Sequence, residues 1–361
     1  MNEKENEKTP SPVTIVIPHI GKSDILYTCL RSLKNEKKVP FRVLIVDNGS
    51  DLSAEKVSAI LPDCQIIKTS GNLGFAGGCN TGLRRVKTTY ALLLNNDTEV
   101  RGNWLLPLVR CMEEFPDVGA CQPKILSMRF SGKYDYAGGM GGLIDRFGYP
   151  FAIGRIFDSL ETDQNQYKGR YRIFWASGTA MIIRMRALQK VGLLDEDFFA
   201  HMEEIDLSWR LHLVNYRVAS DSESVVYHYS GYSLGHEAYQ KMYLNHRNNW
   251  VMLLKNYSAQ TLLWLVPVRF LFESVTLVFS LAKLDYKRAW AVVRAIGFVV
   301  GHSVRIYKKH RAVQSIRRVP DSAIFREMYG GSIVLEHFLF GVNRVCDLKG
   351  TLKWLESGLK Q

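Results

Sequence analysis

Apolar runs of strand length alternate with helix-period stretches over the first hundred positions, and each run stops at polar residues. Residues 13–18 (VTIVIP) predict a buried strand ended by Pro18. Residues 23–35 put Ile25, Leu26, Cys29, Leu30 and Leu33 on one helical face, with Ser23 in the capping position. Residues 41–46 predict a second strand, closing in Asp47, Asn48, Gly49 and Ser50, and residues 64–68 a short third. A glycine-rich stretch from Asn72 to Gly82 then leads into a helix, and residues 90–94 (YALLL) form a fourth buried run that stops at Asn95, Asn96, Asp97 and Thr98. Strands alternating with helices through short loops specify an α/β fold with a mostly parallel central sheet. Such sheets bind ligands at the carboxyl ends of their strands. Asp47 and Asp97 fall at that edge, although Asn, Asp and Thr are also ordinary turn residues.

The pattern changes beyond residue 130. Residues 131–154 are rich in glycine and aromatics and read as a mobile loop or hairpin over the site. Residues 173–183 read as a bent strand, with Trp175 either stacking on a ligand ring or packing in the core. Ile205, Leu207, Leu211 and Val214 share a helical face, so Glu203, Glu204 and Asp206 lie at that helix's N-terminal end. Acids there also favour the helix dipole.

The last third differs in composition. Between residues 283 and 318 ten basic residues stand against Asp285 alone, so most of the net charge of +12 lies here. Two apolar runs, 262–282 and 289–304, border this stretch, the first interrupted by Pro267, Arg269 and Glu273, the second by Arg294 and His302. Charges in mid-run disfavour a spanning helix. The pattern points to interfacial helices beside anionic lipid, on the inner face of the membrane. The interleaved aromatics suit lipid better than nucleic acid, and no nucleic-acid module is visible. Six cysteines without paired metal spacing, and a polar start over residues 1–10, imply a cytoplasmic, peripheral protein with a disordered tail. The expected organisation is a tail at 1–10, a catalytic α/β domain at 11–255, basic membrane-associating helices at 256–320 and a helical tail at 321–361.

Several motifs in order carry a resemblance. Ile17 with Pro18, the Val46 to Ser50 run, Asn72 to Ala76, Asn80, and Asn95 to Thr98 resemble glycosyltransferase family 2, most of all its bacterial rhamnosyltransferase-like members. The series continues through Gly192 to Phe199, Met202 to Arg210, and Val225 to Ser233. The resemblance implies a GT-A fold and an inverting transfer from a nucleoside-diphosphate sugar, dTDP-rhamnose or a UDP-sugar, to a glycan acceptor. A lipid-linked acceptor would account for the basic, apolar last third. The nucleotide would contact Pro18, Asp47, Asn72, Gly74, Asn80, Asn95 and Asn96.

A leaving diphosphate needs its charge neutralised, and Mg²⁺ or Mn²⁺ does this through hard oxygen ligands. Asp97 is the candidate ligand, and His228 resembles the family's histidine near the metal. The family usually has a second aspartate where Asn95 stands, which leaves less charge for the cation. An inverting displacement also needs a carboxylate to take the acceptor's proton. By position that base is Glu204, with Glu203 the alternative and Asp206 more suited to orienting the helix or pairing with Arg210. A nucleotidyltransferase would need a longer basic, glycine-rich loop than residues 19–22 offer. The remaining alternative is a non-catalytic nucleotide-sugar-binding protein at the membrane.

Overall fold

The computed structural model describes residues 12–230, 238–350 and Leu359. The N-terminal half builds a sheet from β1 (Val13–His19), β2 (Phe41–Asp47), β3 (Gln65–Lys68), β4 (Tyr90–Leu94), β5 (Thr98–Val100) and β6 (Val118–Ser127), with helices α1 (Ser23–Leu33), α2 (Ala54–Ile60), α3 (Gly74–Leu83) and α4 (Leu105–Glu114) between them. Four short strands follow: β7 (Gly141–Ile144), β8 (Pro150–Ile153), β9 (Arg155–Ile156) and β10 (Ser159–Leu160). The main sheet resumes with β11 (Arg170–Ile173), β12 (Ala180–Arg184) and β13 (Arg217–His228), interleaved with α5 (Met185–Val191) and α6 (Glu203–Leu213). The chain then becomes helical: α7 (Ala238–Asn256), α8 (Ala259–Ala282), α9 (Tyr286–Gly301), α10 (Ser303–Ile316), α11 (Asp321–Phe325) and α12 (Ile333–Phe340).

The main sheet has nine strands in the order β11-β13-β6-β12-β4-β1-β2-β3, with β5 added beside β13. Strands β1, β2, β3, β4, β6 and β13 run one way; β5, β11 and β12 run the other. It is an α/β fold with a mostly parallel sheet, as the alternation predicts. The central strands are buried on both faces, which explains their unbroken apolar runs. One core cluster on each face closes the sandwich.

Three local expectations change. Pro18 does not end β1, which continues to His19 in register with Asp47. The cap of α1 is Lys22, with no side-chain hydrogen bond, and Ser23 is already helical. Of the mobile loop or hairpin expected over 131–154 the hairpin is present, β7 against β8, but it is packed into the core rather than a mobile cover. Strands β7 to β10 form a second antiparallel sheet, and Met140, Leu143, Ile144, Phe151 and Ile153 are buried. Its glycines serve close packing: a Cβ on Gly142 would lie 2.0 Å from the Trp175 ring, and one on Gly139 2.3 Å from the Ile153 carbonyl oxygen. Trp175 is buried with them and donates Nε1–H to the Leu143 carbonyl at 2.8 Å, so it packs in the core.

Helix α8 inverts the usual arrangement of a surface helix. Thr261, Leu265, Arg269 and Glu273, four residues apart, face inward. Arg269 pairs with Glu273 at 3.1 Å, donates to the Asn249 side-chain oxygen Oδ1 at 2.8 Å and lies over the Tyr149 ring. The outer face carries Leu263, Phe270, Leu271, Val275, Val278 and Phe279, all exposed. The two charges that seem to interrupt this run in the sequence therefore lie on the protein side. Among the described residues α8 is the one single helix long and apolar enough to cross a membrane, by length and composition alone.

Candidate active site

The carboxyl edge of the parallel strands gathers most of the candidate residues, each held by a different local device. At the end of β2, Asp47 turns one oxygen back on its own loop, accepting from the Ser50 N–H at 2.8 Å and the Ser50 hydroxyl at 2.7 Å. Its neighbour Asn48, not singled out from the sequence, ties that loop to the start of α3. The Asn48 amide donates to the Gly74 carbonyl at 2.9 Å and its oxygen accepts from Leu73 N–H at 2.9 Å. Asn72 accepts from Gly74 N–H at 2.9 Å. Gly74 has φ +72°, and a Cβ there would meet the Phe199 carbonyl oxygen at 2.4 Å, so only glycine fits. Pro18 packs beneath Gly78 of the same helix.

Asn80 does not face this edge freely. It lies buried in α3, donating to the Leu194 carbonyl at 2.8 Å and Glu196 at 2.9 Å and accepting from Leu194 N–H at 3.1 Å. With both ends of the amide occupied, it fastens α3 to the loop before α6 instead of presenting a group to a nucleotide.

Beyond β4, Asn95 takes the Thr179 carbonyl through its N–H at 2.9 Å, and the Asn96 amide meets His19 Nδ1 at 2.7 Å. Asp97 is placed by strand pairing. Antiparallel β5 and β13 set Thr98 opposite His228, which brings His228 Nε2 to 3.1 Å from Asp97 Oδ1. The other ring nitrogen, Nδ1, lies 2.9 Å from Asp135 Oδ1. The Ser230 hydroxyl donates to both Asp135 oxygens, at 2.8 and 2.7 Å. Burial opposes a charge on His228, but the hydrogen bonds and charges of Asp135 and Asp97 outweigh it and push its pKa up to about 10. Burial also works against a charged Asp135, yet His228 holds that carboxyl below its usual range.

This corner suits a hard divalent cation. Asp97 and His228 Nε2 converge on one point, while Asp135 holds the far ring nitrogen as a second-shell carboxylate holds a metal-bound histidine. Among the described residues no group of three or more acids, histidines or cysteines forms a complete cage. Mg²⁺ commonly takes only one or two protein carboxylates and fills its other positions with substrate phosphates and water.

A second carboxylate cluster opens α6. The preceding loop is contorted: Phe199, His201 and Met202 all have positive φ, at 63°, 69° and 73°. The Asn248 amide of α7 holds it by reaching the carbonyls of Phe198, Ala200 and His201 at 3.0, 2.8 and 2.7 Å. Glu203 and Glu204 follow, each with one buried oxygen, Oε2, lacking a hydrogen-bond partner. Burial raises the Glu204 pKa to about 7. Burial and then the Glu204 charge push Glu203 well up. Phe75 and Glu204 lie against Gly178, where a Cβ would come 2.9 Å from the Phe75 ring and 3.9 Å from the Glu204 Cβ.

Asp206 differs from both. It is fully buried, accepting from Arg210 Nε at 3.0 Å, Lys255 Nζ at 3.0 Å and the Asn256 amide at 2.8 Å. Lys255 and Arg210 overcome the cost of burial and hold its pKa below the usual range. It is a structural anchor of α6, the role its spacing to Arg210 suggested, and no proton acceptor. The same network extends outward. Lys255 and Lys309 pair with Asp195, and Arg305 and Lys309 with Asp197. Arg317 pairs with Asp321 at 2.6 Å. Part of the basic excess of the last third is therefore spent on internal pairs.

The segment 135–137 joins the two clusters. Asp135 holds His228, and the Ala137 carbonyl accepts from the Ser177 hydroxyl, next to Gly178 and Glu204. Asp135, His19, Asn48 and Asn248 were not legible as site residues. Asp135 in particular sits in a glycine-rich stretch without motif spacing.

A mostly parallel sheet with an aspartate and histidine corner at its carboxyl edge is the arrangement of a GT-A-type glycosyltransferase. The family model described as Glycosyl transferase family 2 matches residues 14–192, so the chain carries a domain of that family. A relative from Mycobacterium tuberculosis, N-acetylglucosaminyl-diphospho-decaprenol L-rhamnosyltransferase, is 24% identical over 262 residues, covering 66% of this chain and 82% of its own. The poly-beta-1,6-N-acetyl-D-glucosamine synthase of Staphylococcus aureus is 27% identical over 216 residues, covering 57% of this chain; the match spans about half, 47%, of the synthase. Among solved structures, GalNAc-T7 with UDP, GalNAc and Mn²⁺ superposes with a TM-score of 0.53 at 15% identity, over 69% of this chain and 48% of that one. S. aureus TarS 1–349 superposes with a TM-score of 0.51 at 14% identity, over 84% and 90%. At these identities the two structures bear on fold alone.

Proposed function

We propose that this glycosyltransferase moves a sugar, with inversion, from a nucleoside-diphosphate donor to a hydroxyl of a lipid-linked glycan at the inner membrane surface. The observation that carries the reading is the pairing of two unlike carboxylate clusters across the segment 135–137. One presents Asp97 and His228 for a divalent cation and diphosphate; the other presents Glu204, unpaired and poised near neutral pH. Mg²⁺ or Mn²⁺, when bound, would neutralise the charge that develops on the leaving diphosphate. Asp97 and His228 would hold it, His228 giving up its Nε2 proton to the cation while Asp135 keeps hold of Nδ1–H. Asp47, at the end of β2, supplies the acceptor oxygen for a pyrimidine N–H, which favours dTDP-rhamnose or a UDP-sugar. Glu204 takes the proton from the attacking hydroxyl, and its burial without a counter-ion sets its basicity for that step. Glu203 lies beside it, its own pKa pushed well up by burial and then by the Glu204 charge.

The name of the mycobacterial relative supports a lipid-diphosphate acceptor and a rhamnosyl donor. The outer face of α8 supports the membrane surface as the place of reaction. The helix's lateral contacts with the catalytic domain through Arg269, Asn249, Tyr149 and Asp321 support a helix whose free face lies along lipid rather than one that crosses it. Exposed Lys283, Lys287, Arg288, Lys308 and Arg311 suit anionic headgroups.

The deciding experiment incubates purified protein with dTDP-rhamnose, UDP-sugars or GDP-mannose, with Mn²⁺ or with EDTA, and a polyprenyl-diphosphate-linked sugar. Mn²⁺-dependent transfer from a pyrimidine donor, giving the opposite anomer by NMR, is the expected result. Transfer that is unaffected by EDTA, or that retains configuration, overturns the reading.

A further inference from the structure

Two cations near the site have no acidic partner. Arg155 of β9 is buried and its guanidinium lies 4.4 Å from the centre of the Tyr136 ring. Its Nε has no hydrogen-bond partner; Nη1 donates to the Phe157 carbonyl at 3.4 Å, and Tyr136 is hydrogen-bonded to the same side chain. Lys241 of α7 brings Nζ to 4.9 Å from the same ring. Among the described residues neither cation has a carboxylate within ion-pair distance. Asp135 and Asp158 are the nearest acids to Arg155, and Asp135 is already taken by His228 and Ser230. Tyr136 is 39% exposed and Lys241 half-buried, so the ring reaches the surface while Arg155 is buried.

Their position is informative. Tyr136 follows Asp135, the partner of His228, and precedes Ala137, whose carbonyl meets Ser177 beside Gly178 and Glu204. Lys241 is close enough to His201, two residues before Glu203, for its charge to act on that imidazole. The cations thus stand between the Asp97 corner and the proposed base. A buried guanidinium without a counter-ion is costly. An anion supplied by a ligand removes that cost, and a guanidinium and an ammonium that share one aromatic ring offer donors to the oxygens of a diphosphate.

We infer that Tyr136, Arg155 and Lys241 form a second diphosphate-binding site, independent of metal and separate from the Asp97–His228 corner. It rests on the glycosyl-transfer reading only for its ligand's origin. The diphosphate of a lipid-linked acceptor, bound here, would set its sugar hydroxyl toward Glu204. The diphosphate of the donor is the other source of the same chemistry.

The test measures binding of inorganic pyrophosphate by calorimetry in EDTA, with wild type, K241A, K241R and Y136A, each checked for fold by circular dichroism. Wild type binds; K241A weakens binding about tenfold or more, and K241R retains most of it. Farnesyl diphosphate and UDP, titrated in the same way, separate the sources: the ligand whose affinity depends on Lys241 is the one that uses the site. Absence of pyrophosphate binding to wild type, or equal binding to wild type and a folded K241A, overturns the inference. Mn²⁺-dependent donor hydrolysis is measured on the same samples. Its absence alongside Lys241-dependent pyrophosphate binding would refute the transfer reading and leave the anion site standing.

Discussion

Asp206 and Glu204 lie in the same first turn of α6, the first fully buried and the second half-buried with one oxygen, Oε2, shielded from solvent, and they behave in opposite ways. Lys255 and Arg210 sit on Asp206 and hold it ionised; no cation reaches Glu204, and burial lifts its pKa to about 7. Burial raises the energy of a carboxylate in both places, and the counter-ion decides which way the balance falls. The Asp97–His228–Asp135 corner follows the Asp206 pattern: there too a buried acid keeps its charge because a cation is hydrogen-bonded to it. A helix start with three acids therefore separates into one structural anchor and one pair left protonatable at neutral pH.

The sharpest test of this contrast is Glu204→Gln. Turnover should fall by ~10²–10⁴-fold, as for loss of a general base, with Mn²⁺-dependent donor affinity retained. If Glu203→Gln gives that pattern and Glu204→Gln does not, the roles within the pair are reversed. Asp206→Ala should instead act on stability. Removing one partner of a buried ion pair leaves Arg210 without its carboxylate and Lys255 with Asp195 alone, a loss of about 3–5 kcal/mol, read from chemical denaturation. A native-like midpoint for this variant would refute its role as anchor.

Asp135→Asn probes the other corner. Loss of a second-shell carboxylate should weaken Mn²⁺-dependent donor binding by about 10–100-fold while leaving the pH profile of turnover unchanged. The pH profile is the next effect in size. Turnover should rise about tenfold per unit as Glu204 deprotonates and level off above about 7, and this limb should vanish in Glu204→Gln. The stability terms have opposite signs. The raised Glu204 makes the folded state bind a proton that the unfolded chain has lost, so its contribution falls as pH rises from about 4.3 through about 7. The depressed Asp206 contributes above about 3.9, and that contribution is lost as acidification carries it through its folded pKa. The smallest effect concerns α8. Replacing Leu271 and Phe279 by Glu should reduce flotation with anionic liposomes and leave soluble-donor hydrolysis unchanged; equal flotation would reject the outer face as the lipid contact.

Much of this protein was determined by its sequence read one segment at a time. The alternating apolar runs specify a mostly parallel α/β sheet because strands buried on both faces need continuous hydrophobic residues. Their abrupt polar ends put Asp47 and Asp97 at the binding edge, and the ordered motifs gave the family. Tertiary structure decided what no local pattern carries: which acid meets which cation. Asp135 reaches His228 only because β13 runs beside β6, and Asp206 stays charged only because α7 returns Lys255 to it from 49 residues away. Arg269 and Glu273 interrupt an apolar run in the sequence yet leave the outer face of α8 unbroken, since a four-residue spacing turns both inward. Periodicity is a local property and survives in one dimension. Electrostatic pairing depends on distances across the fold, so the roles of identical carboxylates become distinct only once the chain has closed around them.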